Sequence, residues 1–305
     1  MPTDPTRAST PPNTPLNAPD SQDPQDSPGF RGAAAPAAAA PSRRVLLAGL
    51  AGLPLGLAAA PAALAADRRE RPAVSRTVHL AGDSTAAQKY ADAAPETGWG
   101  MALPFFLNPA LAVDNRALNG RSSKSFVEEG HLAGTLAAIR AGDLLLIQFA
   151  HNDEKSEDPA RYTEPWSTYQ EYLRRYVSGA RERGAVPVLA TPVERRRFDA
   201  AGNAQPTHGE YPAAMRALAA AEGVPLLDIQ ALSLGLWQRL GPEETKRYFN
   251  WTATEQDNTH FNPPGAIEVA RLVAGQLVAR GVLGPGDTRR LGEQIPESWI
   301  TWPAS

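Results

Sequence analysis

Four short segments, spread over the chain, carry side chains suited to acyl transfer. Gly82-Asp83-Ser84-Thr85 contains a hydroxyl nucleophile, and Asp257-Asn258-Thr259-His260 contains a carboxylate close to an imidazole. Between them lie Asn119-Gly120-Arg121-Ser122 and His151-Asn152-Asp153. Acyl transfer needs a hydroxyl to attack, an imidazole to accept its proton, a carboxylate to orient the imidazole, and N–H groups where the oxyanion forms. No other combination of residues in the sequence supplies these parts as completely.

Each residue of this set has a predicted role and a structural alternative. Ser84 is the candidate nucleophile, although Gly-Asp-Ser is also common turn chemistry. His260 is the candidate general base, with Asp257 as the carboxylate that fixes its tautomer; the alternative for Asp257 is a turn or a helix cap. The oxyanion candidates are the N–H groups of Ser84 and Gly120 and the side-chain amide of Asn152. The alternative for Gly120 is a turn glycine, and the alternative for Asn152 is a helix-capping residue.

Apolar runs typical of strands alternate along the chain with runs of helical periodicity. This alternation predicts a parallel sheet of five strands with helices on both faces. The run Leu144-Leu145-Leu146-Ile147 is almost continuously apolar, as expected for a central strand covered on both sides. The predicted strands are 77–81, 112–118, 143–149, 186–190 and 224–229, and the predicted helices are 101–107, 132–140, 166–183, 212–222 and 266–280.

Three of the candidate site residues follow the ends of predicted strands, and a fourth precedes the last predicted helix. Ser84 follows the first strand, Gly120 the second and Asn152 the third, and His260 precedes the last helix. Ligands of open α/β sheets bind at the carboxyl ends of the strands. We therefore expect the four segments to meet at one edge of the sheet.

The composition narrows the classes of function. The chain has 305 residues, 42% of them hydrophobic and 21% charged, with a formal net charge of -3. Nucleic-acid-binding domains usually carry an excess of basic residues, and this chain has none, so nothing suggests nucleic-acid binding. The sequence contains no cysteine, so disulfides and thiolate chemistry are excluded, and its five histidines lack a metal-ligand spacing such as H-E-x-x-H. We expect no metal and no organic cofactor.

The amino-terminal part predicts export. Residues 1–42 contain almost no large apolar side chains, which predicts a disordered leader. Residues 43–65 begin with Arg43-Arg44, continue as an Ala/Leu/Gly run and end in Ala63-Leu64-Ala65, a pattern typical of a cleaved twin-arginine signal. One catalytic domain is then predicted over 66–305, in a secreted or periplasmic protein that is expected to be monomeric.

The alternative for this apolar run is a transmembrane anchor. The run spans only about twenty residues. It is rich in weakly apolar alanine and glycine and contains Pro54 and Pro61. These features favour a signal over a stable anchor.

Taken together, the four segments resemble the blocks of the SGNH/GDSL hydrolases, and within them the rhamnogalacturonan acetylesterases. The resemblance implies a flavodoxin-like three-layer α/β/α fold, a Ser84–His260–Asp257 triad and an oxyanion hole formed by Ser84, Gly120 and Asn152. It also implies removal of acetyl groups from pectic rhamnogalacturonan, with an acetylated polysaccharide or oligosaccharide as the binding partner. The segments that carry it are Gly82-Asp83-Ser84-Thr85, Asn119-Gly120-Arg121-Ser122-Ser123-Lys124-Ser125-Phe126, Gln148-Phe149-Ala150-His151-Asn152-Asp153 and Asp257-Asn258-Thr259-His260-Phe261.

One position departs from the family pattern. Ala150 stands where the family usually has glycine, and its methyl group is expected to narrow the substrate groove or shift the backbone. This departure concerns the fit of the substrate and leaves the chemistry intact.

Substrate contacts are less specifically predicted than the catalytic residues. Arg196 belongs to a basic run after the fourth strand, where an arginine fork could bind a galacturonate carboxylate; the alternative is a solvated charge run. Trp251 could stack on a sugar ring or pack at the rim, and Arg121 could touch substrate or order its own loop. The candidate substrate-binding residues are Asp83, Arg121, His151, Arg196 and Trp251.

Other functions remain open at this stage. A lipase or lysophospholipase with the same fold would need an apolar acyl groove, and an acetylxylan esterase would differ only in its polysaccharide. A non-catalytic glycan-binding module would bind pectin without releasing acetate. A nucleotide-binding flavodoxin-like protein has no support, because the sequence contains neither a P-loop nor a G-x-G-x-x-G motif.

Overall fold

The computed structural model describes residues 75–304. The predicted leader, 1–42, and the predicted export signal, 43–65, lie outside the described residues. The predicted start of the catalytic domain at residue 66 also lies outside them. Within the described residues, no helix has the length and apolar character needed to cross a membrane.

A parallel five-stranded sheet forms the centre of the fold, in the order β2-β1-β3-β4-β5. This is the strand order of flavodoxin-like folds, whose ligands bind where the connections diverge between β1 and β3. The prediction of a five-stranded parallel sheet is confirmed. The strands are β1 (Arg76–Gly82), β2 (Leu111–Asn115), β3 (Leu144–Gln148), β4 (Val186–Ala190) and β5 (Leu226–Leu227).

Helices cover both faces of the sheet and give three layers. Along β3, Leu144 and Leu146 belong to one buried cluster, whereas Leu145 and Ile147 belong to the other. This alternation explains why the whole strand is apolar. The first face is covered by α1 (Trp99–Ala102), α6 (Ile229–Thr245) and α7 (Pro263–Ala279), and the second by α2 (Ser123–Glu128), α3 (His131–Ala138), α4 (Gln170–Glu182) and α5 (Tyr211–Glu222).

Several elements differ from the sequence prediction. β2 ends at Asn115, because the side chain of this residue accepts a hydrogen bond from the N–H of Ala117 at 3.2 Å and turns the chain. The short helix α2 was not predicted; it begins with a capping box between Ser122 and Ser125. Helix α6 was also not predicted; Gly241, with a φ of 75° and a ψ of 172°, divides it at a kink.

Candidate active site

The turn after β1 presents Ser84. The side chain of Asp83 accepts hydrogen bonds from the N–H of Thr85 at 3.0 Å and from its hydroxyl at 2.7 Å. The backbone oxygen of Asp83 accepts the N–H groups of Ala86 and Ala87, both at 3.1 Å. These bonds close a tight turn directly at the carboxyl end of the strand.

A continuous line of hydrogen bonds connects Ser84, His260 and Asp257. The Oγ of Ser84 lies 2.8 Å from Nε2 of His260, and Nδ1 of His260 lies 2.7 Å from Oδ2 of Asp257. With the ring proton on Nδ1, the hydroxyl donates to the imidazole and the imidazole donates to the carboxylate. The other carboxylate oxygen accepts the N–H of His260 at 3.0 Å, so it holds the backbone as well as the ring.

A hairpin positions the Asp257–His260 segment. Its strands β6 (Phe249–Trp251) and β7 (Gln256–Phe261) are antiparallel, and they pair Phe249 with Phe261 and Trp251 with Gln256. Four residues of β7 therefore stand opposite the single Asn250, which is a large bulge. Bulges redirect side chains and occur often beside active sites. The catalytic aspartate and histidine candidates therefore lie on an irregular strand.

The two titrating groups shift each other's pKa. Burial raises the pKa of Asp257, but the hydrogen bond and charge of His260 lower it more, and the result lies below its usual value. Burial lowers the pKa of His260, but the hydrogen bond and charge of Asp257 raise it above its usual value. The imidazole therefore accepts a proton more readily than a free histidine, while the carboxylate stays ionised.

The three candidate oxyanion donors follow β1, β2 and β3, which are neighbours in the sheet. Gly120 has a φ of 71°, a left-handed conformation that favours glycine. The amide nitrogen of Asn152 donates one hydrogen to the backbone oxygen of Arg121 at 3.1 Å, which leaves its second hydrogen for a ligand. Among residues 75–304, no protein acceptor bonds the N–H groups of Ser84 and Gly120.

Asp153 connects the loop after β3 to the start of α2 through hydrogen bonds. Its buried carboxyl accepts the N–H of Ser123 at 3.1 Å and also binds the hydroxyl of Ser123, and it accepts the hydroxyl of Thr163 at 3.0 Å. Burial raises the pKa of Asp153 to about 7, although the hydrogen bonds from Ser123 and Thr163 oppose this. The contact fixes Asn152 relative to the loop that carries Gly120.

One predicted substrate contact requires correction, because Asp83 is buried and bonded to His151. Asp83 is 0% exposed and His151 is 3% exposed. They bond to each other at 3.0 Å, and the ring of His208 packs edge-on against His151 with 4.5 Å between centroids. Although burial raises the pKa of Asp83, the charge and hydrogen bond of His151 lower it to about 2. Both carboxylate oxygens of Asp83 are bonded within the protein, whereas Nε2 of His151 has no hydrogen-bond partner among the described residues.

Arg196 and Trp251 form a clamp on the catalytic hairpin. The guanidinium of Arg196 donates to Oδ1 of Asn258 at 2.9 Å and to the backbone oxygen of Pro242 at 2.7 Å. It also lies over the indole ring of Trp251, 4.6 Å from its centroid, and the ammonium of Lys246 lies 5.1 Å from the same centroid. The guanidinium of Arg196, predicted to bind a substrate carboxylate, therefore makes its hydrogen bonds within the protein. The indole ring of Trp251, predicted to stack on a sugar, is already in contact with the cations of Arg196 and Lys246.

Two further predictions concern Arg121 and Ala150. Arg121 donates to Glu129 at 2.8 Å and to the backbone oxygen of Asn119 at 3.0 Å, which orders its loop. The methyl group of Ala150 is fully buried in the cluster with Phe126, so it does not narrow a substrate groove.

The sequence interpretation missed three charged residues near the site. Lys89 and Glu96 form an ion pair at 2.5 Å in the segment after the nucleophile turn. Arg161 bonds Asp158 at 2.5 Å, and its Nη1 lies 3.7 Å from the point that a Cβ on Gly120 would occupy. No motif marks these residues, because their positions depend on how loops distant in sequence fold together. Of the described residues, no cluster of histidine and acidic side chains could hold a metal ion.

Comparison with known proteins agrees with this geometry. Residues 80–266 match the profile of the GDSL-like Lipase/Acylhydrolase family. The chain belongs to this family. The matched segment begins in β1, and it contains all the residues of the hydrogen-bonded line and the three oxyanion candidates.

Three relatives of this GDSL-like family member are informative. It is 46% identical to the rhamnogalacturonan acetylesterase RhgT of Bacillus subtilis (strain 168), over 67% of this chain and 90% of that protein. It is 44% identical to the probable rhamnogalacturonan acetylesterase YesY of the same organism, over 67% of this chain and 94% of that protein. The crystal structure of YxiM from Bacillus subtilis aligns with a TM-score of 0.60 at 28% identity, covering 70% of this chain and 59% of that one.

Family membership and fold agree with the prediction of an SGNH/GDSL hydrolase. The GDSL-like chain is an ester hydrolase, and its three-layer fold carries the four predicted segments at the carboxyl edge of the sheet.

Proposed function

We propose that the chain is a secreted carbohydrate O-acetylesterase that removes acetyl groups from pectic rhamnogalacturonan by a serine mechanism. The observation that carries the mechanism is the line from Ser84 through His260 to Asp257, with bonds of 2.8 and 2.7 Å. The substrate is supported by the similarity to two Bacillus proteins, one named as a rhamnogalacturonan acetylesterase and one as a probable one, over at least 90% of their lengths.

In the first half of the reaction, the hydroxyl of Ser84 attacks the acetyl carbonyl while His260 takes its proton. The carbonyl oxygen becomes negative and is stabilised by the N–H groups of Ser84 and Gly120 and by the free amide hydrogen of Asn152. The bond to the sugar oxygen then breaks, and the imidazolium returns the proton to that oxygen. The sugar hydroxyl leaves, and the acetyl group stays on Ser84.

In the second half, water replaces the sugar hydroxyl. His260 removes a proton from the water, which attacks the acetyl carbonyl, and the same donors stabilise the second oxyanion. Collapse of this intermediate breaks the bond to Ser84, which recovers its proton from the imidazolium. Acetate is released.

Arg161 is suited to recognise the acidic sugar of this substrate. Its Nε is bound to Asp158 at 2.5 Å, and its Nη1 lies 3.7 Å from the Cβ position of Gly120. Its side chain is 24% exposed. Guanidinium groups bind carboxylates in a bidentate manner. A galacturonate residue next to the acetylated sugar would meet this cation beside the oxyanion donors.

The secreted location is supported by the sequence alone. Arg43-Arg44 precedes an apolar run that ends in Ala63-Leu64-Ala65. Replacing both arginines with lysine should keep the protein inside the producing cell, because twin-arginine export requires the arginine pair. Normal export of this double variant would contradict the twin-arginine route.

Acetate release from a panel of substrates tests the function. The panel contains acetylated rhamnogalacturonan, acetylated xylan and p-nitrophenyl esters from acetyl to octanoyl. We expect rhamnogalacturonan to be preferred and activity to fall with acyl length. Preference for xylan would identify an acetylxylan esterase, and preference for octanoyl would identify a lipase.

Two serine variants test the mechanism on the same panel. Ser84→Ala should lose activity, whereas Ser178→Ala should retain it, because Ser178 is exposed on α4 and bonds only backbone oxygens of its own helix. Full activity of Ser84→Ala would contradict the proposed nucleophile.

A further inference from the structure

Lys89 is a buried charge that the mechanism above does not use. Its side chain is 1% exposed. Lysine is almost never fully buried unless it is paired. Its ammonium group has two partners, Oδ1 of Asn119 at 2.6 Å and Oε1 of Glu96 at 2.5 Å. A buried ammonium group that binds two separate segments constrains the position of both.

The first partner lies next to an oxyanion donor. Asn119 directly precedes Gly120, whose left-handed conformation sets the direction of its N–H. Arg121 also stabilises this loop, because its guanidinium donates a hydrogen bond to the backbone oxygen of Asn119 at 3.0 Å. Lys89 supplies the contact to the side chain of Asn119.

The second partner lies next to the general base. Glu96 precedes Thr97, whose N–H donates to the backbone oxygen of Phe261 at 2.8 Å. Phe261 directly follows His260. The backbone oxygen of Glu96 accepts the indole N–H of Trp302 at 2.8 Å, which holds this segment from the other side. The ion pair therefore joins the oxyanion loop to the strand that carries the imidazole.

We propose that Lys89 is a positioning residue for the hydrolysis: its ammonium holds the Asn119–Gly120 turn in the donating orientation, and its pair with Glu96 balances charge beside His260. This role rests on the serine mechanism proposed above. Its ammonium bonds Asn119 and Glu96, and among residues 75–304 no hydrogen bond joins it to Ser84, His260 or Asp257.

Three charged groups shift the pKa of His260. Asp257 lies on its own strand, and Glu96 and Lys89 come from the segment between β1 and α1. The negative charge of Glu96 raises the pKa of His260, and the positive charge of Lys89 lowers it. The acid limb of the pH profile of kcat/KM reports the pKa of the base in the free enzyme. Removing the charge of Lys89 should therefore move this limb to higher pH, and removing the charge of Glu96 should move it to lower pH.

The test measures kcat and kcat/KM for p-nitrophenyl acetate against pH in two variants. Lys89→Met should move the acid limb to higher pH and lower kcat roughly ten- to a hundredfold, because the oxyanion turn is released. Glu96→Gln should move the limb to lower pH and retain most of kcat, because glutamine still accepts a hydrogen bond from Lys89. Arg174→Met is the control, since Arg174 pairs with Glu222 at 3.2 Å at the surface, and its limb should not move.

A third variant separates geometry from charge. Asn119→Ala should lower kcat as Lys89→Met does, but leave the acid limb in place, because no charge is removed. Circular dichroism shows whether each variant is folded. If Lys89→Met does not fold, Glu96→Gln and Asn119→Ala decide the question.

The possible outcomes are distinct. The role of Lys89 is overturned if folded Lys89→Met keeps kcat within about twofold of the wild type, or if the Glu96→Gln limb fails to move to lower pH. It is also overturned if Asn119→Ala retains full kcat. An active Ser84→Ala variant would instead overturn the serine mechanism on which the role depends.

Discussion

The amide of Asn152 donates a hydrogen bond of 3.1 Å to the backbone oxygen of Arg121, so the loop after β3 holds the loop after β2. Because Arg121 directly follows Gly120, this bond aligns two candidate oxyanion donors with each other. The same amide then has one hydrogen left for the substrate. Asn152 thus combines a supporting contact with a candidate catalytic one.

Asn152→Ala should lower kcat by roughly 10²–10³, the typical loss when one oxyanion donor is removed. The reduction has two sources, since the variant loses both the donor and the contact to Arg121. Kinetics on p-nitrophenyl acetate measure it. Asn203→Ala is a suitable control, because Asn203 bonds Asp199 in an exposed turn. Equal activity of Asn152→Ala and wild type would exclude Asn152 from the oxyanion hole.

Asp257→Asn should lower kcat by up to about 10⁴, because an amide can hold the imidazole in the wrong tautomer. The variant also loses the charge that raises the pKa of His260. The acid limb of kcat/KM should therefore move to lower pH, while the maximum falls. The role of Asp257 would be contradicted if the variant had the same acid limb and the same maximal kcat/KM as the wild type.

Asp153→Asn should change how stability depends on pH. The pKa of Asp153 is raised to about 7 in the folded state. An unfolded aspartate has a pKa of about 3.9, so the unfolded state binds fewer protons between these values and the free energy of unfolding falls as pH rises. The loss attributable to this carboxyl is about 3 to 4 kcal/mol between about pH 4 and about pH 7.

Urea unfolding at several pH values measures this contribution as the difference between wild type and Asp153→Asn. The asparagine variant should lose less stability across the range, because it has no proton to release at this position. Parallel curves for the two proteins would contradict a raised pKa at Asp153.

Arg196→Met should lower kcat roughly tenfold and leave KM for the polysaccharide nearly unchanged, since the clamp on Asn258 is lost and no substrate contact is removed. Arg197→Met serves as the control from the same basic run. The result separates the clamp seen in the structure from the predicted carboxylate site. A large increase in KM, confined to the acidic substrate, would show that Arg196 binds galacturonate.

Arg161→Gln should raise KM for acetylated rhamnogalacturonan oligosaccharides about tenfold more than for neutral acetylated xylo-oligosaccharides, as expected for the loss of one charge-assisted contact. The ratio of the two KM values is the measured quantity. Equal increases for both substrates would indicate that Arg161 supports the loop and does not select charge.

The amino-acid sequence by itself determined which residues could do the chemistry and after which strands Ser84, Gly120 and Asn152 would lie. The apolar run 144–147 predicts a central strand, and the Gly-Asp-Ser turn directly follows another strand. These features are local, because backbone pattern and turn chemistry act over a few residues. The parallel sheet and the site at its carboxyl edge could therefore be predicted.

Only the tertiary structure decided which charged side chains face the site and which serve the scaffold. Asp83 and Arg196 have types suited to substrate binding, but one is buried against His151 and the other is bound to Asn258 and Pro242. Conversely, Lys89 belongs to no motif, yet it links Asn119 with Glu96. The physical reason is that hydrogen bonds and burial depend on which distant segments meet, and the spacing of residues along the chain does not encode these contacts.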